Sequence, residues 1–471
     1  MLLLILSFLV SFFLGYLFLN ILWPENNGYV LIKASLVPGL GLGISSLLSF
    51  IWLLLTNNSR GNFCLILTEI VFLLLLYLIF IWKKKDRQKS VSPVSTYFIP
   101  TPEAKIQFGL EIIFYLMLVL AILSFLFLTL DSPLGYWDAW SIWNLRARWI
   151  FRGGMDWRDA FKVAPEFQPD YPLLLPLSIF RTWKYTGYEI LIAPIFIAFL
   201  FAIGTTGLLV SSLVRFRSVG QGFLAGIVLL GTPFFIIKGA DQYADVPLSF
   251  FYLATFVFFY LSEKLMGKSK AFSTLAGVTT GLAIWTKNEG MLFLLAFVLS
   301  WVLVKRHRTG LKKLGGFSLG LMPILGVVLY FKRQLAPFND LIAVTNFAAG
   351  LKRSGEPSRY LLILKSFCQQ FFLSGKFFFI PLTLILPVYL FLAKTGIKKE
   401  AKDVSVIMAL TLTIVLIGYF VIYLLTPHDL NWHLGTSLNR LFLQLWPVFL
   451  FAYFLVVKTP EEAWAKSTLP E

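Results

Sequence analysis

Long apolar runs alternate with short polar segments along the whole chain, and most runs approach the roughly 20 residues with which an α-helix crosses a bilayer. The first run has no basic start and no small-residue cleavage site, so we expect it to remain as a span. The pattern predicts an all-α polytopic membrane protein with about thirteen transmembrane helices. They are expected near 1–22, 29–55, 62–82, 108–130, 188–214, 219–238, 246–262, 271–286, 290–304, 314–333, 376–394, 404–425 and 440–457.

Two regions of this pattern allow more than one interpretation. Segment 172–187 is short and interrupted by two basic residues, so it is expected to be re-entrant or to lie on the surface. The apolar runs 271–286 and 290–304 are also short, and they meet at a polar turn, 287–289. These two runs could form one bent hairpin.

The composition supports a membrane protein and excludes several soluble classes. Hydrophobic residues make up 58% of the chain and charged residues 14%, against about 25% charged in soluble domains. Two cysteines offer neither a disulfide framework nor a cysteine metal cluster. The net charge of +17 lies in short basic clusters between apolar runs, as membrane topology produces, and we do not expect nucleic-acid binding.

The basic clusters also predict an orientation. Most of them fall on one side of the predicted spans, whereas the short loops opposite hold only Arg60, Lys238, Lys287 and Arg440. By the positive-inside rule the basic side is cytoplasmic. We therefore expect a multi-pass protein of the inner (plasma) membrane. The loops 131–187 and 334–375 and the turn 426–440 then face outward, where we expect the active site.

The longest polar interruption in the first half of the chain, 131–172, mixes tryptophans with charged residues. At helical spacing its residues after Asp138 form an apolar and a polar face. The apolar face holds Trp140, Trp143, Ala147 and Ile150, and the polar face holds Ser141, Asn144, Arg148 and Arg152. This predicts an interfacial helix with tryptophans at headgroup depth and its polar face toward water. The helix dipole favours an ionised Asp138 in the first turn, and we expect this carboxylate to be the catalytic base of an enzyme with a lipid-borne substrate.

Two predicted turns between spans carry charges that lipid would penalise. In the first, Asp241 and Asp245 stand four residues apart, so a helical turn would place both on one side. Simple neutralising pairs, Lys238 with Asp241 and Lys287 with Glu289, would explain both turns. The alternative is that a lysine binds a phosphate where a cavity meets the outer leaflet.

The segment before the last predicted span contains His428, Asp429 and His433, followed by Arg440. The spacing permits a metal site but supplies no third strong ligand nearby, so hydrogen bonding to a sugar or phosphate is the preferred interpretation of the histidines. Arg440 is expected at the start of the last span. It could form a bidentate contact with a phosphate or only extend to the interface.

A series of short motifs in a fixed order resembles that of the GT-C type membrane glycosyltransferases, which include protein O-mannosyltransferases and lipid A aminoarabinose transferases. The motifs are WDAW at 137–140, RGGMDW at 152–157, YPL at 171–173, GYE at 187–189, ADVPL at 244–248, GLAIWTK at 281–287, and Arg440 with Pro447. The resemblance covers most of residues 110–457. It implies a GT-C type fold whose first outer loop carries the catalytic aspartate, here Asp138.

Two departures from the family pattern bear on this comparison. Many relatives have a second acid after the aspartate, where this chain has Ala139, which puts metal assistance there in doubt. No large soluble segment follows the last predicted span, so acceptor recognition is expected from the outer loops.

The resemblance implies a reaction that agrees with the residue pattern. The donor would be a sugar on a polyprenyl or dolichyl monophosphate, and Asp138 would activate an acceptor hydroxyl on a lipid, glycan or protein in an inverting displacement. Lys287, Arg440 and Lys238 would stabilise the departing phosphate. No cofactor is required, although a divalent metal would be compatible. Further candidates for binding substrate or phosphate are Asp241, Asp245, Glu289, His428, His433, Arg148 and Tyr171.

Two other functions stay open at this point. A transporter or flippase of lipid or glycan would also explain charges in the membrane, although the chain shows no internal repeat. An O-antigen ligase or polymerase-like enzyme would use a diphosphate-linked donor and a basic outer loop. We divide the chain into N-terminal helices with a basic loop (1–107), a GT-C like catalytic module (108–333) and a C-terminal part (334–471).

Overall fold

The computed structural model describes residues 1–25, 28–87, 104–305, 308–337, 344–373, 376–377 and 380–467. Over these residues the protein is a bundle of α-helices with one two-residue hairpin, β1 (Lys376–Phe377) and β2 (Ile380–Pro381). The helices are α1 (Leu2–Leu22), α2 (Val30–Thr56), α3 (Asn62–Arg87), α4 (Ala104–Asp131), α5 (Asn144–Arg152), α6 (Leu174–Thr186), α7 (Ile192–Phe216), α8 (Val219–Leu230), α9 (Pro233–Ala240), α10 (Asp245–Lys264), α11 (Ser269–Thr286), α12 (Glu289–Val304), α13 (Arg308–Gln334), α14 (Val344–Arg353), α15 (Pro357–Leu373), α16 (Leu382–Ala393), α17 (Lys399–Leu425), α18 (Leu430–Val456) and α19 (Pro460–Ser467).

The prediction of a helical multi-pass protein is confirmed, but the count of about thirteen spans is not. Among the described residues, nine helices are long and apolar enough to cross a membrane, or ten if α8 and α9, bent by 64°, count as one span. The predicted spans 271–286, 290–304 and 376–394 do not qualify. The last two correspond to helices of 16 and 12 residues, and α11 is too polar along its length.

Helix α10 forms the centre of the bundle, since its whole apolar window is buried. It packs against α7, α11, α17 and α18. Helices α11 and α13 approach especially closely because a Cβ on Gly277 would lie 2.0 Å from the Phe317 carbonyl oxygen. Small residues allow such close contact between helices within a membrane. This packing fixes the N-terminus of α10 and the C-terminus of α11, where Asp245 and Lys287 lie.

Helix α6, which covers the ambiguous segment 172–187, is embedded in the bundle and does not lie on its surface. All of its residues from Leu174 to Tyr185 are buried. The guanidinium of Arg181 binds both carboxylate oxygens of Glu69 on α3, at 2.6 and 2.7 Å. It also donates to the Ser7 carbonyl oxygen at 2.7 Å, and Tyr185 donates to Glu69. The charge of Arg181, which together with Lys184 made this segment a poor span, is thus neutralised inside the protein.

The loop after α4 forms helical turns, but not with the predicted faces. A π-helical turn, Ala139–Trp143, precedes α5 and changes the helical register. Ser141 and Asn144, expected to face water, are therefore buried, while Trp140 is 42% exposed. Asn144 is hydrogen-bonded inside the protein, to Gln242 at 2.7 Å. The expectation of a polar face directed entirely toward water was wrong.

The last long helix begins earlier than the sequence suggested. Helix α18 starts at Leu430, so Arg440 lies about three turns inside it and does not open it. Asp429 caps this helix by accepting from the Trp432 amide at 2.8 Å. Residues 430–439, several of them polar, therefore belong to α18 and not to a turn before it.

Candidate functional site

Asp138 and Arg440, 302 positions apart, form an ion pair in which Nη1 of the guanidinium donates to Oδ2 of the carboxylate. Both side chains are largely buried, with exposed fractions of 13% and 17%. Arg440 also donates from Nε to the Thr436 carbonyl oxygen on its own helix, at 3.1 Å. The loop after α4 and the last long helix therefore meet at one acid and one base.

Tyr243 lies beneath this pair and was not recognised in the sequence. Its ring centroid is 5.3 Å from the Arg440 guanidinium and 4.5 Å from the Lys238 ammonium, within the range of cation–π contact. Burial, and then the Asp138 charge, raise the pKa of Tyr243, so this phenol stays neutral at physiological pH.

The turn between α9 and α10 separates two carboxylates that were expected on one side of a helical turn. Asp241 ends α9, Gln242 has a positive φ of 60°, and Asp245 begins α10. Asp241 accepts from Lys238 at 2.6 Å, which confirms the simple pair, whereas Asp245 points to Lys287. The helical arrangement predicted for the two acids was wrong because the left-handed residue between them breaks the helix.

The same turn holds the loop after α4 in place. The Tyr136 amide donates to the Asp241 carbonyl oxygen at 3.1 Å. The Gln242 side chain donates to the Pro133 carbonyl oxygen at 3.0 Å and accepts from Asn144 at 2.7 Å. These bonds lie on both sides of Asp138 in sequence, and they position its carboxylate toward Arg440.

A second group of charges surrounds Lys287, which is buried between α11 and α12. Its ammonium lies 2.9 Å from Asp245 Oδ1 and 2.8 Å from Glu289 Oε1. The expected pair with Glu289 is therefore confirmed, with Asp245 as an additional partner. Gln444, which the sequence analysis did not select, donates to the same Asp245 oxygen at 2.6 Å. A glutamine inside a membrane span was the sequence signal for it.

Tyr171 is brought to the Lys287 side of the site. Its ring stacks on Trp143 at 5.3 Å with an interplanar angle of 12°, and the Lys287 ammonium is 5.9 Å from the ring centroid. Burial raises the pKa of Tyr171. Next to it, Asp170 accepts from Asn288 at 2.7 Å, and Lys332 donates to Asn288 at 2.6 Å. This polar network, also missed in the sequence, joins the loop before α6 to α12 and α13.

The remaining candidates make other contacts. Arg148 binds Glu189 at 2.9 Å, and Arg152 binds the same carboxylate at 2.6 Å. Burial opposes ionisation of Glu189, but hydrogen bonds from the two arginines outweigh it and lower the pKa of this carboxyl. The contacts of Arg148 therefore tie α5 to the loop before α7.

His428 and His433 lie at the start of α18. His433 Nδ1 is 2.9 Å from the Thr426 hydroxyl, and the two imidazole centroids are 5.6 Å apart. Asp429 is used as the helix cap. Over the described residues, no three His, Cys, Asp or Glu side chains form a group that could hold a metal ion.

An apolar groove lies along α18, from Asn439 to Phe449. It encloses about 720 Å³, counting its open side, and α15, α17, α18 and the residues around the α8–α9 bend line it. Most of its wall is aliphatic or aromatic. The lining residues are Thr232, Phe234, Gln370, Phe371, Leu412, Leu416, Asn439, Phe442, Leu443, Leu445, Trp446 and Phe449.

This geometry, a paired acid and base in a helical bundle whose helix α18 also lines an apolar groove, agrees with a comparison of the chain with known families. Residues 189–331 match the family model described as dolichyl-phosphate-mannose-protein mannosyltransferase. The resemblance to GT-C type glycosyltransferases is thereby confirmed. The match supports a membrane glycosyltransferase of the GT-C type. No curated protein and no solved structure gives a significant match to the chain.

The matched segment includes one half of the site. It contains the α9–α10 turn and the Lys287 group, whereas Asp138 and Arg440 lie outside it. The pairing of these two residues is therefore an observation of this structure, independent of the family match.

Proposed function

We propose that this protein transfers a sugar from a polyprenyl- or dolichyl-phosphate donor to an acceptor hydroxyl on the outer face of the membrane, with inversion. The observation that carries the proposal is the meeting of Asp138 and Arg440 at α18, the helix that also forms one wall of an apolar groove. A carboxylate can accept the proton of an attacking hydroxyl, a guanidinium can bind a phosphate, and a groove can hold a prenyl chain. The match of residues 189–331 to the mannosyltransferase family model supports a lipid-phosphate sugar donor.

In the proposed reaction the acceptor oxygen attacks the anomeric carbon opposite the phosphate. A bond from that oxygen to the anomeric carbon forms while the bond from the carbon to the phosphate oxygen breaks. The hydroxyl proton passes to Asp138, and the electron pair of the broken bond stays on the lipid phosphate. Such proton transfer accelerates reactions by about 10²–10⁴-fold.

The cations have separate parts in this proposal. Arg440 exchanges its contact with Asp138 for the donor phosphate, which releases the carboxylate for the acceptor hydroxyl. Lys287 is held by Asp245 and Glu289, so it stabilises charge on the departing phosphate as a fixed, preorganised cation. Lys238 contacts the same Tyr243 ring as Arg440, and in this proposal its ammonium, which Asp241 holds at 2.6 Å, is a third cation near the phosphate.

The prenyl chain would lie in the apolar groove. The groove begins at Asn439, one position before Arg440 but on another face of α18, so in this proposal the prenyl chain passes around the helix from a phosphate at Arg440. Burying apolar surface there contributes roughly 25 cal/mol per Å². Recognition of the acceptor is assigned to the outer loops, which carry the exposed Trp137 and Trp140.

The test is transfer by the purified protein in lipid nanodiscs, using radiolabelled sugars on polyprenyl and dolichyl monophosphates. We expect Asp138→Asn to lower transfer at least about 100-fold because the base is lost. The matched control is Asp159→Asn, an exposed acid in the same loop, which should transfer at the wild-type rate. Movement of the labelled lipid across the membrane without cleavage of its sugar bond would instead identify a transporter.

A further inference from the structure

Gln444 is a fully buried amide that lies one helical turn beyond Arg440 on α18. Its side chain reaches three other helices. Oε1 accepts from the Tyr419 hydroxyl on α17 at 2.9 Å, and Nε2 donates to Asp245 on α10 at 2.6 Å and to Glu289 on α12 at 3.4 Å. The last long helix is thereby joined to the elements that surround Lys287.

The partners of this amide fix which way it points. Ionised carboxylates only accept hydrogen bonds, so the nitrogen of Gln444 must face Asp245 and Glu289. Its oxygen is then directed at Tyr419, whose hydroxyl supplies the donor that this oxygen needs. Tyr419 is also fully buried. The tyrosine therefore locks the amide in the orientation in which it donates to the carboxylates.

Gln444 and Lys287 bind the same two oxygen atoms, Asp245 Oδ1 and Glu289 Oε1. The other oxygen of each carboxylate is buried and, within the described part of the chain, has no hydrogen-bond partner. The carboxylates of Asp245 and Glu289 therefore share the same two donors, the Lys287 ammonium and the Gln444 amide. If the amide is removed, only Lys287 binds these two oxygens, and among the described residues no hydrogen bond joins the group to α18, where Arg440 then acts on Asp245 only through its charge.

We propose that Gln444, oriented by Tyr419, is a positioning residue that holds the Asp245–Lys287–Glu289 group at a fixed place relative to Arg440. The inference rests on the proposed function, in which both cations act on the donor phosphate. Gln444 itself touches neither substrate nor reacting atoms. It acts through Lys287, because a cation stabilises developing charge best when it is already in place.

The test compares three variants in the transfer assay with lipid-monophosphate sugars. Gln444→Leu removes the amide, and Tyr419→Phe removes only the hydroxyl that orients it. The matched control is Gln221→Leu. Gln221 is equally buried and also bridges helices, since its amide donates to the Phe454 and Val457 carbonyl oxygens, but it lies at the other end of α18.

We expect Gln444→Leu to lower kcat about 10- to 100-fold with little change in the KM for the donor, because the lost interaction acts in the transition state. Tyr419→Phe should lower kcat about 3- to 10-fold, since the amide keeps its carboxylate partners. Gln221→Leu should lower the thermal midpoint while kcat per folded molecule stays at the wild-type value.

The outcomes separate the two proposals. Active wild-type protein with unchanged kcat in folded Gln444→Leu and in Tyr419→Phe overturns the positioning role alone. If Gln444→Leu does not fold, Tyr419→Phe decides in the same way. An equal loss of kcat in Gln221→Leu also overturns it, since any buried glutamine would then suffice. Wild-type protein without transfer from any lipid-monophosphate sugar overturns the proposed function, and this inference with it.

Discussion

Two clusters of buried charge lie in the helical bundle, and they differ in how completely their polar atoms are paired. In the first, Arg181 binds both oxygens of Glu69 and a backbone carbonyl, and Tyr185 supplies a further donor. In the second, Asp138 and Arg440 share a single contact. The nearby carboxylates of Asp245 and Glu289 each have one oxygen without a hydrogen-bond partner among the described residues.

The comparison distinguishes a structural charge from a chemical one. A satisfied buried network stabilises a particular arrangement of helices, and the Glu69 cluster does so for α1, α3 and α6. An incompletely satisfied group lowers stability and is retained where it can bind or react. We therefore expect changes in the first cluster to affect folding, and changes in the second to affect transfer.

The largest expected effect is on stability, from Glu69→Gln. The change leaves the Arg181 charge buried without an ionised partner, which costs about 3–5 kcal/mol of unfolding free energy. The measurement is the denaturant dependence of unfolding in detergent micelles. The double variant Glu69→Gln/Arg181→Met should recover much of the loss, and Glu69→Gln at wild-type stability would contradict the structural role.

The next effect is on catalysis, from Arg440→Gln. Losing a preorganised cation at the departing phosphate should lower kcat about 10²–10³-fold. The thermal midpoint should change less than in Glu69→Gln, because Asp138, with 13% of its side chain exposed, can still reach water, whereas Arg181 and Glu69 are fully buried. A variant with a wild-type rate would remove Arg440 from the mechanism.

A smaller effect tests the groove. Phe442→Ala removes part of its wall and should raise the KM for a long-chain prenyl donor by roughly 5- to 30-fold, equivalent to about 1–2 kcal/mol of lost apolar contact. A short-chain donor should be affected less. Phe391→Ala is the control, since that ring is 82% exposed on the outside of α16. Equal effects of the two variants would contradict the assignment of the groove.

The smallest effect concerns the exposed pairing of α5 with the loop before α7. Because the folded pKa of Glu189 is lowered, its stabilisation is fully present above the ordinary value of 4.5 and is lost as the pH falls through the folded value. Glu189→Gln should lose less than about 1 kcal/mol at neutral pH. The difference in thermal midpoint between wild type and variant should vanish at acidic pH, and a constant difference would argue against the ion pair.

Local patterns in the sequence were enough to predict the helical membrane fold and the ion pairs between residues that are neighbours in sequence. Lys238 with Asp241, and Lys287 with Glu289, are neighbours in sequence, so short turns bring them together. Asp245 with Lys287, and Asp138 with Arg440, depend on which helices pack side by side. Periodicity does not contain that information, and only the family resemblance placed these residues in one site.

The errors in the prediction have local physical causes. A π-helical turn shifted the faces around Asn144, and the positive φ of Gln242 separated Asp241 from Asp245. Because the first turns of α18 contain polar residues, the start of this helix was predicted at 440 instead of 430, and Arg440 was placed at the membrane edge. Gln444 was overlooked because its neighbours are apolar, although a buried amide in a span is itself a signal of function.

The most direct test of the proposed catalytic centre is an experimental structure of the protein with a bound prenyl monophosphate. The account predicts a phosphate within hydrogen-bonding distance of the Arg440 guanidinium, the prenyl chain in the groove along α18, and the Asp138 carboxylate released from Arg440 toward the acceptor side. A phosphate bound elsewhere, with Asp138 and Arg440 still paired and the groove unoccupied by the chain, would contradict it.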